Sequence, residues 1–383
     1  METVKTKKRS LAAIFKLCPG AHLLLLMSLI IIGAHLSLRY NRALMGKISG
    51  AVIAPLHQRL SAACDVLGTV SLAEILIALF AIGVLVYIIT EILRLIFTPQ
   101  RLKRLYRLVM RLTAIGFAVY AGYTLLWGVY YYGEDFISAS GLENDQISVE
   151  QLETVTVYFA QLLNDYSRQV QRDENGFYTA DRDAILARSN QVYGGVEQAF
   201  PCLQGPDIRA KGLRFSRILS YMDFTGFFFP FTAEANVNTD FPSGLFASTV
   251  AHELAHQRGV AKEQEANFVA VLSCLDYGDV DYCYSACMLA YTHLGNALYS
   301  AAYDSWYLVY SGLEENVKRD FAANKAYWAQ FETPVQTVTT TVYENFLQSY
   351  DQHLGMKSYG ACVDLLVNYY YEPALAYFGI DFG

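Results

Sequence analysis

The sequence predicts a three-span helical membrane region followed by a mainly helical domain of the α+β class. Three observations predict it: three long apolar runs in the first third of the chain, the pentapeptide His252-Glu253-Leu254-Ala255-His256 in a helical context, and an aromatic and β-branched stretch just ahead of that pentapeptide.

The chain has 383 residues, enough for two or three domains, and its 54% hydrophobic content is high for a soluble enzyme. The excess lies near the N-terminus, in runs at about 21–38, 72–96 and 112–131. Each is long enough to cross a bilayer. No small-residue cleavage site follows the first run and two more runs come after it, so it is expected to stay as an anchor rather than be removed as a signal. Basic residues set the orientation. Lys5, Lys7, Lys8, Arg9 and Lys16 precede the first run, and Arg94, Arg101, Lys103, Arg104, Arg107 and Arg111 follow the second, whereas the loop between these two runs has only Arg39, Arg42, Lys47 and Arg59. The positive-inside rule then puts the N-terminus in the cytoplasm and everything after the third run outside. The expectation is a multi-pass protein of the cell membrane, with residues 1–132 as anchor in the lipid bilayer and 133–383 as an extracytoplasmic domain. Trp127, Tyr130, Tyr131 and Tyr132 close the third run as an interfacial aromatic belt.

From Gly133 onward, 14 Lys and Arg stand against 32 Asp and Glu, a net charge of −18. Such a surface repels phosphate polyanions, so no nucleic-acid partner is expected. Five cysteines fall in this part (Cys202, Cys274, Cys283, Cys287 and Cys362), an odd number with no CxxC knuckle. They read mainly as small buried hydrophobes.

Residues 133–200 read as helical and polar, with a helix over 149–171 and a loop over 172–179. SRILSYMDFTGFFFPFTAEANVNTDFPSG then predicts one or two strands ahead of the pentapeptide. Within it Glu234, Asn236 and Asn238 alternate with Ala235 and Val237. One face is polar, as in an edge strand above a cleft to which an extended peptide substrate adds, or in an ordinary edge strand guarded against aggregation. Residues 281–313 and 318–371 read as mostly helical. His293 and His353 are single imidazoles of the kind more often structural than ligating.

The pentapeptide carries the chemistry. On a helix, His252 and His256 lie at i and i+4 on one face and can aim at one metal ion, Zn²⁺ for this donor set. Glu253 projects about 100° round the helix, beside the ion, where a general base belongs. Phe246, Val250 and Leu254 form an apolar stripe that buries another side of the helix. Gly259 can end the helix in a left-handed conformation and turn the chain back towards the metal. A third ligand should follow, either Glu263 or Glu265. Glu263 is favoured because Asn267 stands one turn further on the same face and can orient a ligand, whereas Glu265 shares a face with Phe268, Val269 and Leu272. Tyr359, in MKSYGACVDLL, is a candidate donor to the oxyanion of a tetrahedral intermediate.

WGVYYYG, GFFFPFTAEANVN, AHELAHQRGVAKEQEANF and SYGACVDLL, together with the three apolar runs, resemble a family of bacterial membrane proteins known as a domain of unknown function with an HExxH signature. The ExxAN element is similar to that of the gluzincin superfamily of zinc metallopeptidases. The resemblance implies a zincin-like fold, with His252, His256 and Glu263 as zinc ligands, Glu253 as catalytic base and Asn267 as support. The function expected is a membrane-anchored zinc metalloendopeptidase that hydrolyses peptide bonds outside the cytoplasm through a zinc-activated water. A non-catalytic zincin-like binding or sensing protein is the alternative, disfavoured by the intact Glu253. Proteolysis inside the membrane is disfavoured by Gln257, Arg258, Lys262 and Glu263, too polar a set for a lipid-exposed helix.

Overall fold

A computed structural model describes residues 13–142, 145–351 and 359–380. The chain divides into two compact units, Met1–Ile53 with Leu72–Gly133, and Ala54–Ser71 with Glu134–Gly383.

In the first unit three helices are long and apolar enough to cross a membrane: Pro19–Leu38, Leu72–Ile96 and Arg101–Gly128. Their exposed side chains include many large apolar ones, among them Met27, Ile30, Leu79 and Ile82, the kind of surface a lipid solvent would tolerate and water would not. The first starts with Pro19 at a position where the missing N–H is no loss. The third starts about ten residues earlier than its apolar run, because Arg101, Lys103, Arg104, Arg107 and Arg111 continue the helix instead of forming a loop. Arg107 donates to the Leu17 carbonyl at 2.9 Å. Buried Glu91 is paired with Arg94 at 2.9 Å and Arg104 at 3.7 Å, so its charge is compensated. The third helix loosens into a wide turn over Thr124–Gly128 and ends in a 3-10 turn at Tyr130–Tyr132.

The second unit is mainly helical with one small sheet. Its centre is the motif helix, Phe246–Gln257, on which Phe246, Val250 and Leu254 are fully buried. The helix packs on a three-stranded sheet of β1 (Lys211–Gly212), β2 (Gly226–Phe229) and β3 (Glu234–Val237) in the order β1-β3-β2. β3 is antiparallel to β2, with Phe227 opposite Asn236, and parallel to β1, with Lys211 opposite Asn236. Two sequence expectations change here. SRILSY forms a short helix, Ser216–Tyr221, rather than strand. β3 is the central strand, not an edge, and Glu234, Asn236 and Asn238 are buried.

Their polarity has a different cause. The apolar face of β3, Ala235 and Val237, joins the core under the motif helix, while the polar side is served by residues 54–71. Ser71 donates to the Asn236 side-chain oxygen at 2.6 Å, and the Cys64 thiol approaches the Thr232 carbonyl at 3.7 Å. The buried Lys211 ammonium bonds to Asp65 at 3.0 Å and to the Gly68 carbonyl. The His57 ring meets Phe228 edge-on at 5.4 Å. Residues 54–71, grouped on sequence grounds with the anchor, thus fold as part of the second unit. Asn238 donates to Ser220 and the Phe224 carbonyl, and Glu234 accepts from Thr232. None of the three faces a substrate groove.

Helices complete the unit. Val149–Ser167 opens with a capping box at Ser148 and Gln151, and it buries Val155, Phe159 and Leu163 against Val280–Ala301 and Tyr359–Tyr377. The loop over 172–179 is tied down by buried Asp320, which accepts from Arg172 at 2.9 Å, the Tyr178 amide at 3.0 Å and Tyr284 at 2.6 Å. Cys274, Cys283, Cys287 and Cys362 are buried thiols, whereas Cys202 is exposed.

Replacing Asp65 with Ala leaves the Lys211 ammonium buried with only a carbonyl for company. The expected loss is about 1–3 kcal/mol, below the usual cost of a broken buried pair because Asp65 is partly exposed. A lower denaturant midpoint with an unchanged slope will show it.

Candidate functional site

The motif helix ends at Gln257, and two residues later Gly259 takes a φ of +91°, which a residue with a Cβ rarely adopts. The reversal lets Val260 return its carbonyl to the ring of His256, whose Nδ1 donates to it at 2.6 Å. That bond assigns the proton to Nδ1 and turns Nε2 towards the site. A second helix, Glu263–Tyr277, starts four residues after Gly259 and delivers Glu263. Its Oε2 lies 3.2 Å from Nε2 of His252 and 3.7 Å from Nε2 of His256. The imidazole planes are nearly perpendicular, at 89°, with centroids 4.7 Å apart. The donor atoms of the three residues all lie within 4.8 Å of one another, and among the described residues this is the group of His, Cys, Asp or Glu side chains that could hold a metal ion.

Electrostatics agree with the chemistry of such a donor set. Burial pulls the His256 imidazole down, but the Glu263 carboxylate and its hydrogen bond outweigh this and push it up to about 9. Burial likewise works against ionised Glu263, yet the two imidazoles hold it well below the usual carboxylate range. A carboxylate bound between two rings attracts either protons or a cation, and a metal ion binds there by displacing protons.

Glu253 sits apart from the three donors. It is 3% exposed, its Oε2 has no hydrogen-bond partner, and burial raises its carboxyl to about 7. Gly226, the first residue of β2, makes room for it. A Cβ there would come within 2.6 Å of Glu253 Oε1 and 2.8 Å of the Asn236 carbonyl oxygen, so only glycine fits. An orphaned carboxylate oxygen in a close-packed wall beside a cation-type donor set is what a proton acceptor for a polarised water looks like.

Glu265 belongs elsewhere. It is 1% exposed, its Oε2 accepts from the Phe136 amide at 2.9 Å, and its Oε1 pairs with Lys262 at 3.2 Å. Lys262 in turn pairs with Asp135 at 2.5 Å. The alternative third ligand is therefore a structural clasp on the segment that follows the third long helix. Asn267 lies one turn beyond Glu263 but makes no hydrogen bond to it. The bond comes instead from Tyr343, whose hydroxyl donates to Glu263 Oε1 at 2.9 Å while its ring meets Phe224 edge-on at 5.2 Å. Tyr343 and Gly226 are thus site residues that the sequence reading missed. His293, read as structural, is buried in the helix Val280–Ala301 and held down to about 4, first by burial and then by the charge of His252. The side chain of Tyr359 lies outside the described residues.

The back of the motif helix is locked. Tyr193 donates to the Ala251 carbonyl at 2.7 Å and lies under the Arg258 guanidinium, 4.1 Å from the ring centroid. Gln257 donates to the carbonyl of Ala233, a turn residue with φ of +56°. The hairpin that carries Gly226 is therefore fastened to the helix that carries Glu253.

Gly226→Ala forces either the Glu253 carboxylate or the hairpin backbone to move. Overpacking of this kind costs about 1–3 kcal/mol, and the variant is expected to melt several degrees lower in a thermal unfolding scan.

No curated protein and no solved structure matches this chain. A family model described as "Protein of unknown function (DUF3810)" matches residues 53–367. The match takes in the segment 54–71, the sheet, both helices of the site and Tyr343, and on that extent the chain belongs to this family of unknown function.

Proposed function

We propose that this protein is a membrane-anchored zinc metallopeptidase of the gluzincin type, with a zincin-like domain that hydrolyses peptide bonds outside the cytoplasm. The observation that carries the reading is the convergence of His252, His256 and Glu263 beside a buried, unpartnered Glu253. Three protein donors leave a fourth position for water or substrate, as catalytic sites do and closed structural sites do not. This favours an enzyme over a binding or sensing protein that has kept the scaffold.

Zinc held by these residues would supply Lewis acidity to a water and to a carbonyl. The chain supplies the rest. Glu253 takes a proton at its free Oε2 and returns it to the leaving amine, a role that suits a carboxyl raised to about 7. Tyr343 fixes the orientation of Glu263, and the Val260 carbonyl fixes that of His256. The edge strand beside Glu253 is β2, not β3, so an extended peptide that adds to the sheet does so along Gly226–Phe229. The extracytoplasmic placement rests on the basic residues flanking the apolar helices. The folding of 54–71 and 134 onward into one unit requires that both lie on the same side of the bilayer, whichever side that is, with the helices at 72–96 and 101–128 crossing between them.

Full-length protein purified in detergent should carry about one zinc per chain by elemental analysis and cleave unstructured peptides; a folded sample that refuses zinc would sink the proposal. Glu253→Gln should keep the zinc and lose about 10²–10⁴-fold in turnover. Glu263→Ala should weaken zinc binding by well over about 100-fold, whereas Tyr343→Phe, which removes only a supporting bond, should weaken it by about 10-fold. Glu265→Ala should leave zinc affinity unchanged and lower the melting temperature.

A further inference from the structure

We propose that a cavity among the three membrane-length helices is a binding site for one anionic phospholipid, whose phosphate is held by Arg111 and Tyr87. The site lies wholly within the first unit and is independent of the peptidase reading; it rests on these helices crossing a bilayer. The first and third helices, Pro19–Leu38 and Arg101–Gly128, pack along each other, and the second, Leu72–Ile96, packs on the third. A cavity of about 250 Å³ remains among them. The first helix lines it with Gly20, Ala21 and Leu24, the third with Arg111, Ala114 and Ile115, and the second with Tyr87.

Small residues leave the room. Gly20 with Leu24, and Arg111 with Ile115, stand four apart on their helices and so present two facing stripes, in which Gly20, Ala21 and Ala114 have little or no side chain to fill the gap. A Cβ on Gly20 would meet nothing within 4 Å, so the gap is open space rather than close packing. Two polar ties hold the first and third helices together at this end. The Tyr106 hydroxyl is hydrogen-bonded to His22 Nε2 at 2.7 Å, and Arg107 donates to the Leu17 carbonyl just ahead of the first helix at 2.9 Å.

The lining specifies the occupant. Leu24 and Ile115 give an apolar wall, and Leu24 is also exposed at the surface, so the cavity communicates with whatever surrounds the helices. Arg111 is the last charged residue before an uncharged stretch from Leu112 to Gly133, which places its guanidinium where headgroups meet hydrocarbon. One of its N–H groups donates to the Tyr87 hydroxyl at 3.3 Å. The others remain to give a phosphodiester two parallel bonds, and the tyrosine keeps its own proton to donate to the same group. Glu91, one turn after Tyr87, does not neutralise Arg111, because Arg94 at 2.9 Å and Arg104 at 3.7 Å already hold it. With Arg104 and Arg107 on the same helix the surroundings are cationic, which favours an anionic headgroup over one that carries an ammonium of its own. Pockets that enclose a whole small ligand run to about 300–1,000 Å³. This one therefore takes the phosphate and the start of an acyl chain, and the remainder of the lipid lies along the helices.

The test titrates full-length protein in detergent with phosphatidylglycerol or phosphatidylcholine and counts retained lipids by native mass spectrometry. One phosphatidylglycerol per chain should be held at least about fivefold more tightly than phosphatidylcholine. Arg111→Gln should weaken it about fivefold, whereas Lys103→Gln, the same loss of charge about two turns away, should weaken it less than about twofold. Gly20→Leu fills the cavity without a clash and should weaken binding as much as Arg111→Gln with every charge intact. Both altered positions are exposed, and leucine is a better helix former than glycine, so the melting temperatures should not fall. Equal retention of the two lipids, equal losses in Arg111→Gln and Lys103→Gln, or undiminished binding in Gly20→Leu would each overturn the proposal.

Discussion

Glu263 is pressed between two imidazoles in a space less than 5 Å across, and much of the second unit exists to keep it there. A carboxylate partly withdrawn from water is costly unless compensated, and the Glu263 side chain is 29% exposed. Here the compensation is His252 on one side, His256 on the other and the Tyr343 hydroxyl at the remaining oxygen. Bringing these groups together demands a chain reversal of a few residues, which Gly259 permits, and two helices held at a fixed distance. Tyr193 and Arg258 fasten the first helix, and Asp135, Lys262 and Glu265 fasten the second. The polar clusters that look incidental to the site are what determine its geometry.

The pair of glutamates 263 and 265 shows how position decides role. Two residues apart on one helix, they point about 200° apart, so one enters the donor cluster while the other closes on the Phe136 amide and Lys262. Glu265 is buried and Glu263 partly so, and both meet groups that can carry positive charge. What differs is the partner: two imidazoles whose nitrogens can exchange protons for a cation, against a lysine and a backbone amide that cannot.

Legibility in the sequence followed sequence separation. His252, Glu253, His256, Gly259 and Glu263 lie within twelve residues, so the helical spacing of the first three and the glycine reversal before Glu263 were enough to suggest one site. The three apolar helices were legible for the same reason, since a run of apolar residues is a local property. Tyr343 and Ser71 were not, because no periodicity links a tyrosine to a glutamate 80 positions away or a serine to an asparagine 165 away. Gly226 gave no signal either, for a close approach between strand and helix is invisible until both are placed. The error over β3 has the same origin. Alternating Glu234, Asn236 and Asn238 looked like a face turned to water or substrate, whereas the unseen partners were hydroxyl and backbone groups, one of them from a segment before the second apolar helix.

That segment has a consequence for how the protein is made. Residues 54–71 leave the ribosome long before β1 and β3 exist, and their polar groups must wait through the synthesis and insertion of two membrane-length helices. If both helices cross a bilayer, the domain can close only when its two parts emerge into the same compartment. A single failed crossing would strand Asp65 and Ser71 on the wrong side of the lipid, with Lys211 and Asn236 unable to reach them. Assembly of the donor cluster would thereby be coupled to correct insertion, and a misinserted chain would never bring its parts together.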